Sequence, residues 1–477
     1  MSRLYQASPR VIFSVLAAAV VVFALTQSLV TPVLPTIAHD LHTTSTTVTW
    51  VLTAWLLASS VSTPILGRIG DAIGKDRTVL VALAAIAVGC LLAAIAPNIG
   101  ILIVGRVLQG VGAAVFPVSF GILRDEYPQE KLHSAVGIMA AVIAAASGTG
   151  IVLAGPIVSA LNWRFLFWFP MIATVVIGIL AWRLVPASKT RHPGKINWLA
   201  AILLSGWLVA LLLPLTDGSE WGWSSGRTLG LFALAVVLFV AWVVSEVRSS
   251  SPLIDMRMMR LPAVWTTNAV ALIFGAGMFG IFAFLPQLMQ VPTSSGYGFG
   301  ASVTRAGLLM LPMMGMMAIV GSLSGPLTRW VPAKAQLITG AGLTTLMSLA
   351  IAFQHDAEWK IAVFGGIFGV GLGLIYSPMI NLIVQNVPKS QTSVASGMNT
   401  NIRTIGASIG TAVVSSVVAA HTLPSGLPAD RGFTLSFTIT AVAEAAAFFL
   451  AMAVPAAKKL AKAPEPEVLP ELSPVEL

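Results

Sequence analysis

Between two long apolar runs, the thirteen residues Gly67 to Val79 (GRIGDAIGKDRTV) concentrate acid, base and three glycines as no other short linker does. Glycine at Gly67, Gly70 and Gly74 permits a tight turn and close backbone approach. Asp71 stands where water meets hydrocarbon, so it needs a base, a helix N-terminus or solvent. Lys75 and Arg77 hold the turn on the cytoplasmic side. Two more ionisable residues lie inside apolar runs, Arg106 and Glu444, and each is costly there unless it faces a cavity or a partner. The chemistry these types can do is charge pairing, gating and proton movement. No Gly-Lys-Ser/Thr phosphate loop, zinc-ligand spacing or nucleophile elbow occurs, so nothing supports ATP drive, a metal, a cofactor or enzyme activity.

The elements that must position these groups are membrane helices. Of 477 residues, 56% are hydrophobic and 9% charged, with a mean hydropathy of +0.89, whereas soluble domains carry about 25% charged residues. About fourteen apolar windows are long enough to cross roughly 30 Å of hydrocarbon as helices. They run Val11 to Pro35, Val48 to Leu66, Thr78 to Ala96, Gly100 to Leu123, Ser134 to Leu161, Phe165 to Val185, Trp198 to Leu215, Leu229 to Val247, Val264 to Met289, Val303 to Leu327, Ala335 to Phe353, Ile361 to Val384, Val394 to Ala420 and Phe433 to Val454. The first, without a small-residue cleavage site, is expected to be a retained helix and not a signal peptide.

The net charge is +9, and about twenty of the 27 Lys and Arg fall on the N-terminus, every second loop and the tail. That asymmetry puts both termini in the cytoplasm and makes anionic membrane lipid, not nucleic acid, the partner of the bases. Cys90, the single cysteine, excludes an intramolecular disulfide. The expected organisation is an N-terminal six-helix bundle (1–186), two linker helices with their connectors (187–260), a C-terminal six-helix bundle (261–455) and a Pro- and Glu-rich disordered cytoplasmic tail (456–477). A worn echo of the first loop, GPLTRWVPAK from Gly325, supports an internal duplication.

Four stretches carry a family resemblance. The Gly67 to Val79 run is similar to G-x-L-A-D-R-x-G-R-K of the major facilitator superfamily, matched at Gly67, Ile69, Asp71, Gly74 and Lys75, with Ala72 and Asp76 where bases are usual. GRVLQGVGAAVF resembles R-x-x-Q-G-x-G through Arg106, Gln109, Gly110 and Gly112. GTGIVLAGP fits the antiporter signature at Gly150, Gly155 and Pro156, although Ser159 and Ala160 replace its later glycines. Trp163, Arg164, Phe165, Phe167 and Pro170, together with SGMNTNIRTIGASIGTA in helix thirteen, resemble the fourteen-helix drug:proton antiporter branch. The resemblance implies an all-α polytopic transporter of the cytoplasmic membrane, two six-helix bundles with two helices between them, working by alternating access. Arg106 would belong to its conformational and proton relay, or else simply bond backbone carbonyls.

The departures bear on coupling. The branch commonly carries an acid in helix one, where this chain aligns Thr26, with Thr31 at a usual Asn. Glu444 is then the only carboxylate near a mid-helix position, either a proton carrier or a protonated packing group. Asp71 and Asp125, at the cytoplasmic edge, are further proton candidates and read as gating partners of Arg106 or Arg124. Family architecture points Gln27, Thr26, Thr31, Trp55, Arg106, Gln109, Phe279, Phe282, Gln287, Met310, Met313, Met314, Tyr376, Asn381, Asn399 and Arg403 at the substrate cavity. The Met-rich LMLPMMGMM can re-pack around varied ligands or be ordinary filler. With arginines but no cavity carboxylate, the expected cargo is a neutral, zwitterionic or anionic amphiphile such as an antibiotic or secondary metabolite, exported against protons by a monomer. The alternatives are a nutrient importer or facilitator on the same fold and a lipid-handling membrane protein.

Overall fold

The computed structural model describes residues 8–43, 45–188, 197–249, 252–388, 391–421, 423 and 427–455. The expected tail, 456–477, lies outside them. Among the described residues, thirteen helices are long and apolar enough to cross a membrane. They are α1 (Pro9–Ser28), α2 (Ser45–Ile73), α3 (Lys75–Ala94), α4 (Ile99–Glu126), α6 (Phe165–Leu184), α7 (Trp198–Trp221), α8 (Gly226–Arg248), α9 (Pro262–Gln290), α10 (Val303–Leu327), α11 (Ala333–Phe353), α12 (Glu358–Asn386), α13 (Thr392–Ala420) and α14 (Asp430–Ala453). The remaining long helix, α5 (Gln129–Ala160), contributes the apolar stretch Ala145–Ala160. A 3₁₀ turn at Gly112–Ala114 interrupts α4, and a short helix Leu34–Asp40 extends α1. Helical backbone satisfies its own polar groups, which hydrocarbon cannot do.

Several ends differ from the apolar windows. The run expected to be a loop is almost entirely helical: α2 continues to Ile73, α3 begins at Lys75, and Gly74 alone turns the chain, with φ 127°. That backbone region is open to glycine and strained for other residues. The charged residues could stay in the helix because they pair with one another and with the neighbouring helices.

Helices α1–α6 pack among themselves, as do α9–α14, and the halves meet along α5 with α10 and α2 with α13. The linker pair α7 and α8 sits on that second seam. Leu204, Trp207, Leu208 and Leu212 of α7 share one apolar cluster with Val394, Ala395 and Met398 of α13, against which Leu57, Val61 and Ile65 of α2 pack.

Lipid tails are as apolar as leucine, so helix association here depends on close van der Waals packing. Gly406 and Gly410 show the requirement, because a Cβ on either would collide with the backbone of Leu272 or Ala276 in α9. In contrast, a Cβ at Gly315 would meet nothing within 4 Å. Gly410→Val should therefore cost about 1–3 kcal/mol by overpacking. It should lower the thermal unfolding midpoint in detergent, and Gly315→Val should leave that midpoint unchanged.

Candidate functional site

At the face carrying Gly74, α2, α3 and α4 bring the first set of charges together. Lys75 is buried, and its Nζ lies 2.6 Å from Asp125 Oδ2 and 3.7 Å from Asp71 Oδ1. It also approaches the Gly121 carbonyl at 3.5 Å. Asp71 and Asp125, expected as gating partners of Arg106 or Arg124, both approach Lys75, which follows Asp71 across the Gly74 turn. Asp76, also buried, accepts from the Ser188 backbone N–H at 3.2 Å, and Ser188 Oγ accepts from the Lys75 N–H at 2.8 Å. Arg77 is exposed and stands outside this network.

Among the described residues, hydrogen bonds then cross from the first half to the second. Val394 N–H of α13 approaches Asp71 Oδ2 at 3.4 Å. Arg124 donates to the Val387 carbonyl at 2.9 Å and to Thr392 Oγ1. Gly67 backs onto the same segment, its Cβ position 3.2 Å from the Ser393 carbonyl oxygen. A set of groups from α2, α3 and α4 therefore clasps the start of α13. The C-terminal echo of this loop keeps Arg329 and Lys334 but has no acid, and there Gln336 donates to the Ser324 and Val331 carbonyls and ties α10 to α11 inside one half.

Deeper in the first half, Arg106 is fully buried. Its Nε donates to the Val51 carbonyl at 2.9 Å, and its Nη1 to the Thr26 carbonyl at 2.9 Å and to Gln109 Oε1 at 2.6 Å. The residue aligned with the family's helix-one acid contributes its backbone oxygen in place of a carboxylate. The guanidinium lies 5.6 Å from the Trp55 ring centre. Arg106 Nη2, Gln109 Nε2 and Trp55 Nε1 are buried without a hydrogen-bond partner among the described residues. All three atoms are donors. Phe23 stacks on Trp55 at 5.3 Å and meets Phe116 edge-on at 5.0 Å, so an aromatic wall adjoins the donors. Phe23 and Phe116 were not among the residues expected here; Phe23 precedes Thr26 by one helical turn, the spacing that marks a shared face.

In the second half, Arg403 lies 4.5 Å from the Tyr376 ring centre, and its Nη1 is unpartnered. Asn399 donates to Asn268 at 2.9 Å. Both side-chain polar atoms of Asn401 are unpartnered. Tyr376, Asn381, Met310, Met313 and Met314 are buried, Phe279, Phe282 and Gln27 half-buried, and Thr31 and Gln287 exposed. Met313 and Met314 pack at the α10 seam, where a Cβ on Gly369 of α12 would collide with Met313 and one on Gly148 of α5 with Met314.

Glu444 accepts from Ser348 Oγ at 2.7 Å and lies against Gly277, inside the group formed by α9, α11 and α14. Its contacts stay within one half. Glu246, in the last turn of α8 and so not a mid-helix position, is buried as well and was not among the expected site residues. It accepts from Leu253 N–H (2.8 Å), Ile254 N–H (3.2 Å) and Trp242 Nε1 (3.2 Å), fastening the connector after α8. Its signal was the break in apolarity just before SSSP. Gly150 packs on Ser28, a Cβ on Gly155 would stand 3.3 Å from Thr304 Oγ1, and Pro156 lies exposed within α5. The Trp163–Arg164 pair staples the opposite face: Trp163 Nε1 donates to Asp40 at 3.0 Å and Arg164 to the Ala96 carbonyl at 3.1 Å.

Two helix bundles that meet along a polar seam define a secondary-transporter architecture. The family model described as Major Facilitator Superfamily matches residues 16–411, and the chain belongs to that superfamily. It is 30% identical over 403 residues to the tetracenomycin C resistance and export protein of Streptomyces glaucescens, covering 82% of this chain and 72% of that one. It is 28% identical over 394 residues to the multidrug transporter protein MdtP of Bacillus subtilis, covering 81% and 71%. It is also 27% identical over 389 residues to the methylenomycin A resistance protein of Streptomyces coelicolor, covering 78% of each chain. In fold it resembles the human organic anion transporter MFSD10, with a TM-score of 0.69 at 15% identity over 94% of this chain and 100% of that one. The proton:xylose symporter XylE gives a TM-score of 0.65 at 11% identity over 94% and 96%.

The clasp predicts a measurable response to loss of one cation. With Cys90→Ala as background, Arg124→Gln should speed maleimide labelling of a Ser393→Cys cysteine by about tenfold or more, since bonds from a charged donor are worth about 1.5–3 kcal/mol each. An unchanged rate would remove Arg124 from the closure.

Proposed function

We propose that this protein exports aromatic, acceptor-bearing amphiphiles across a bacterial cytoplasmic membrane in exchange for protons, with both termini in the cytoplasm. The observation that carries the reading is the trio of buried, unpartnered donors at Arg106, Gln109 and Trp55 beside the Phe23 and Phe116 rings. A buried donor left unpaired costs about 1–3 kcal/mol, and a carbonyl, phenolate or carboxylate oxygen on a planar ligand would satisfy it. No carboxylate stands among the partners described for Arg106, so a cation has nothing to pair with there. The names of the relatives, which concern antibiotic and multidrug resistance and export, support the direction of transport.

The conformer seen is clasped at the Gly74 face. Opening that face requires Asp71 to leave Val394 N–H and Arg124 to leave Val387 and Thr392. Asp71 suits proton coupling better than Glu444, because its hydrogen bond crosses between the halves and the bonds of Glu444 do not. Protonation of Asp71 would remove its charge from Lys75 and weaken the clasp, linking proton uptake to a change of access.

The test is efflux from proteoliposomes with an imposed pH gradient, using cationic, neutral and anionic aromatic dyes. The expected result is gradient-accelerated efflux of neutral and anionic dyes, reduced at least tenfold by Arg106→Lys, which keeps the charge and loses the planar fork. Gradient-independent movement would favour a facilitator, and preference for the cationic dyes would contradict the donor-site reading.

A further inference from the structure

On the outer surface of the first half, α3 and α6 enclose a groove of about 290 Å³ lined by Leu80, Leu83, Ala87, Val175, Ile179 and Trp182. Gly178 forms its notch, with nothing within 4 Å of where a Cβ would stand. The lining runs from Leu80 to Ala87 on α3 and from Thr174 to Trp182 on α6, so the groove is roughly 10–12 Å long at a 1.5 Å rise per residue. The surrounding side chains of α6, including Ile172, Val176 and Leu180, are exposed and apolar, as expected where a helix meets lipid.

One end of the groove is basic. Arg77 lies one turn before Leu80, in the first turn of α3, and Arg183 one turn after Ile179, in the last turn of α6. The two helix ends are held together by the hydrogen bond from the Lys75 N–H to Ser188 Oγ. Both arginines are exposed, and neither is in an ion pair or hydrogen bond among the described residues. The adjacent carboxylate, Asp76, is buried and committed to the Ser188 backbone N–H. Trp182, at the same level, is an amphipathic ring of the kind that anchors at the headgroup region.

We propose that this groove is a binding site for an anionic glycerophospholipid, one acyl chain lying along Gly178 and the phosphate-bearing headgroup between Arg77 and Arg183. Apolar lining matches the chain, and two free guanidinium groups without a nearby accessible carboxylate match a net negative headgroup rather than a zwitterionic one. The site faces lipid and is separate from the donor cluster at Arg106, so the inference does not depend on the direction or cargo of transport.

The test is native mass spectrometry of the full-length purified protein, given equal amounts of phosphatidylglycerol and phosphatidylcholine with identical chains. The expected result is at least about tenfold greater retention of phosphatidylglycerol, because each of the two bases favours an anionic headgroup. Combined Arg77→Gln and Arg183→Gln should bring the two lipids to parity, and Gly178→Phe should reduce retention of both. Because these positions are exposed or open, the variants should keep the wild-type unfolding midpoint, which the same samples report. Equal retention by the wild type, or a preference that survives the arginine changes, would overturn the proposal.

Discussion

Everything at the Gly74 face depends on one buried ammonium group. Lys75 is withdrawn from water between Asp71 and Asp125, and removing a charge from water costs several kcal/mol unless oppositely charged or polar groups replace the lost hydration. The arrangement holds only while α2, α3 and α4 keep their relative positions. It therefore fixes the end of the first half as a rigid block, from which Asp71 and Arg124 reach the start of α13. Both halves contribute to the contact, so breaking it exchanges hydrogen bonds beside the apolar cluster in which Val394 and Ile65 take part. Such contacts can be remade on opening, when water enters to solvate the freed groups.

The remainder of the fold follows from the poverty of hydrocarbon as a solvent. Apolar burial gives little drive between helices in lipid, so the halves cohere through close backbone approach and local polar staples. Gly406 and Gly410 seat α13 on α9, Glu246 fastens the connector behind the linker helices, and Trp163 with Arg164 closes the opposite face of the first half. Each half is thus internally stapled, and α7 with α8 bridges the seam between α2 and α13 through an apolar cluster. Rigid bundles joined by a breakable polar contact are what alternating access requires.

Much of this was legible in the sequence, for physical reasons. A helix crossing hydrocarbon must be long and apolar, which exposes every span, and the spacing of Gly67, Asp71, Gly74 and Lys75 exposed the turn. The ends were harder, since charge reads as loop. Ile73 and Lys75 are helical because Asp71 and Lys75 neutralise each other, a pairing that composition cannot reveal. The partners of Arg106 were equally hidden, for any helix offers carbonyls and only the packed structure selects those of Thr26 and Val51. Thr31 and Gln287, assigned to the cavity by family architecture, lie exposed, the first in a 3₁₀ turn after α1 and the second near the end of α9.

Alternating access requires that the clasped face and the opposite face open in turn. Pulsed electron resonance in proteoliposomes would test it most directly, with Cys90→Ala as background. Spin labels at Ile73→Cys and Pro388→Cys would report one face, and labels at Leu161→Cys and Leu423→Cys the other. Acidification or transported dye should lengthen one distance while shortening the other, each between two populations. A single, unchanged distance at both faces under conditions that support transport would contradict it.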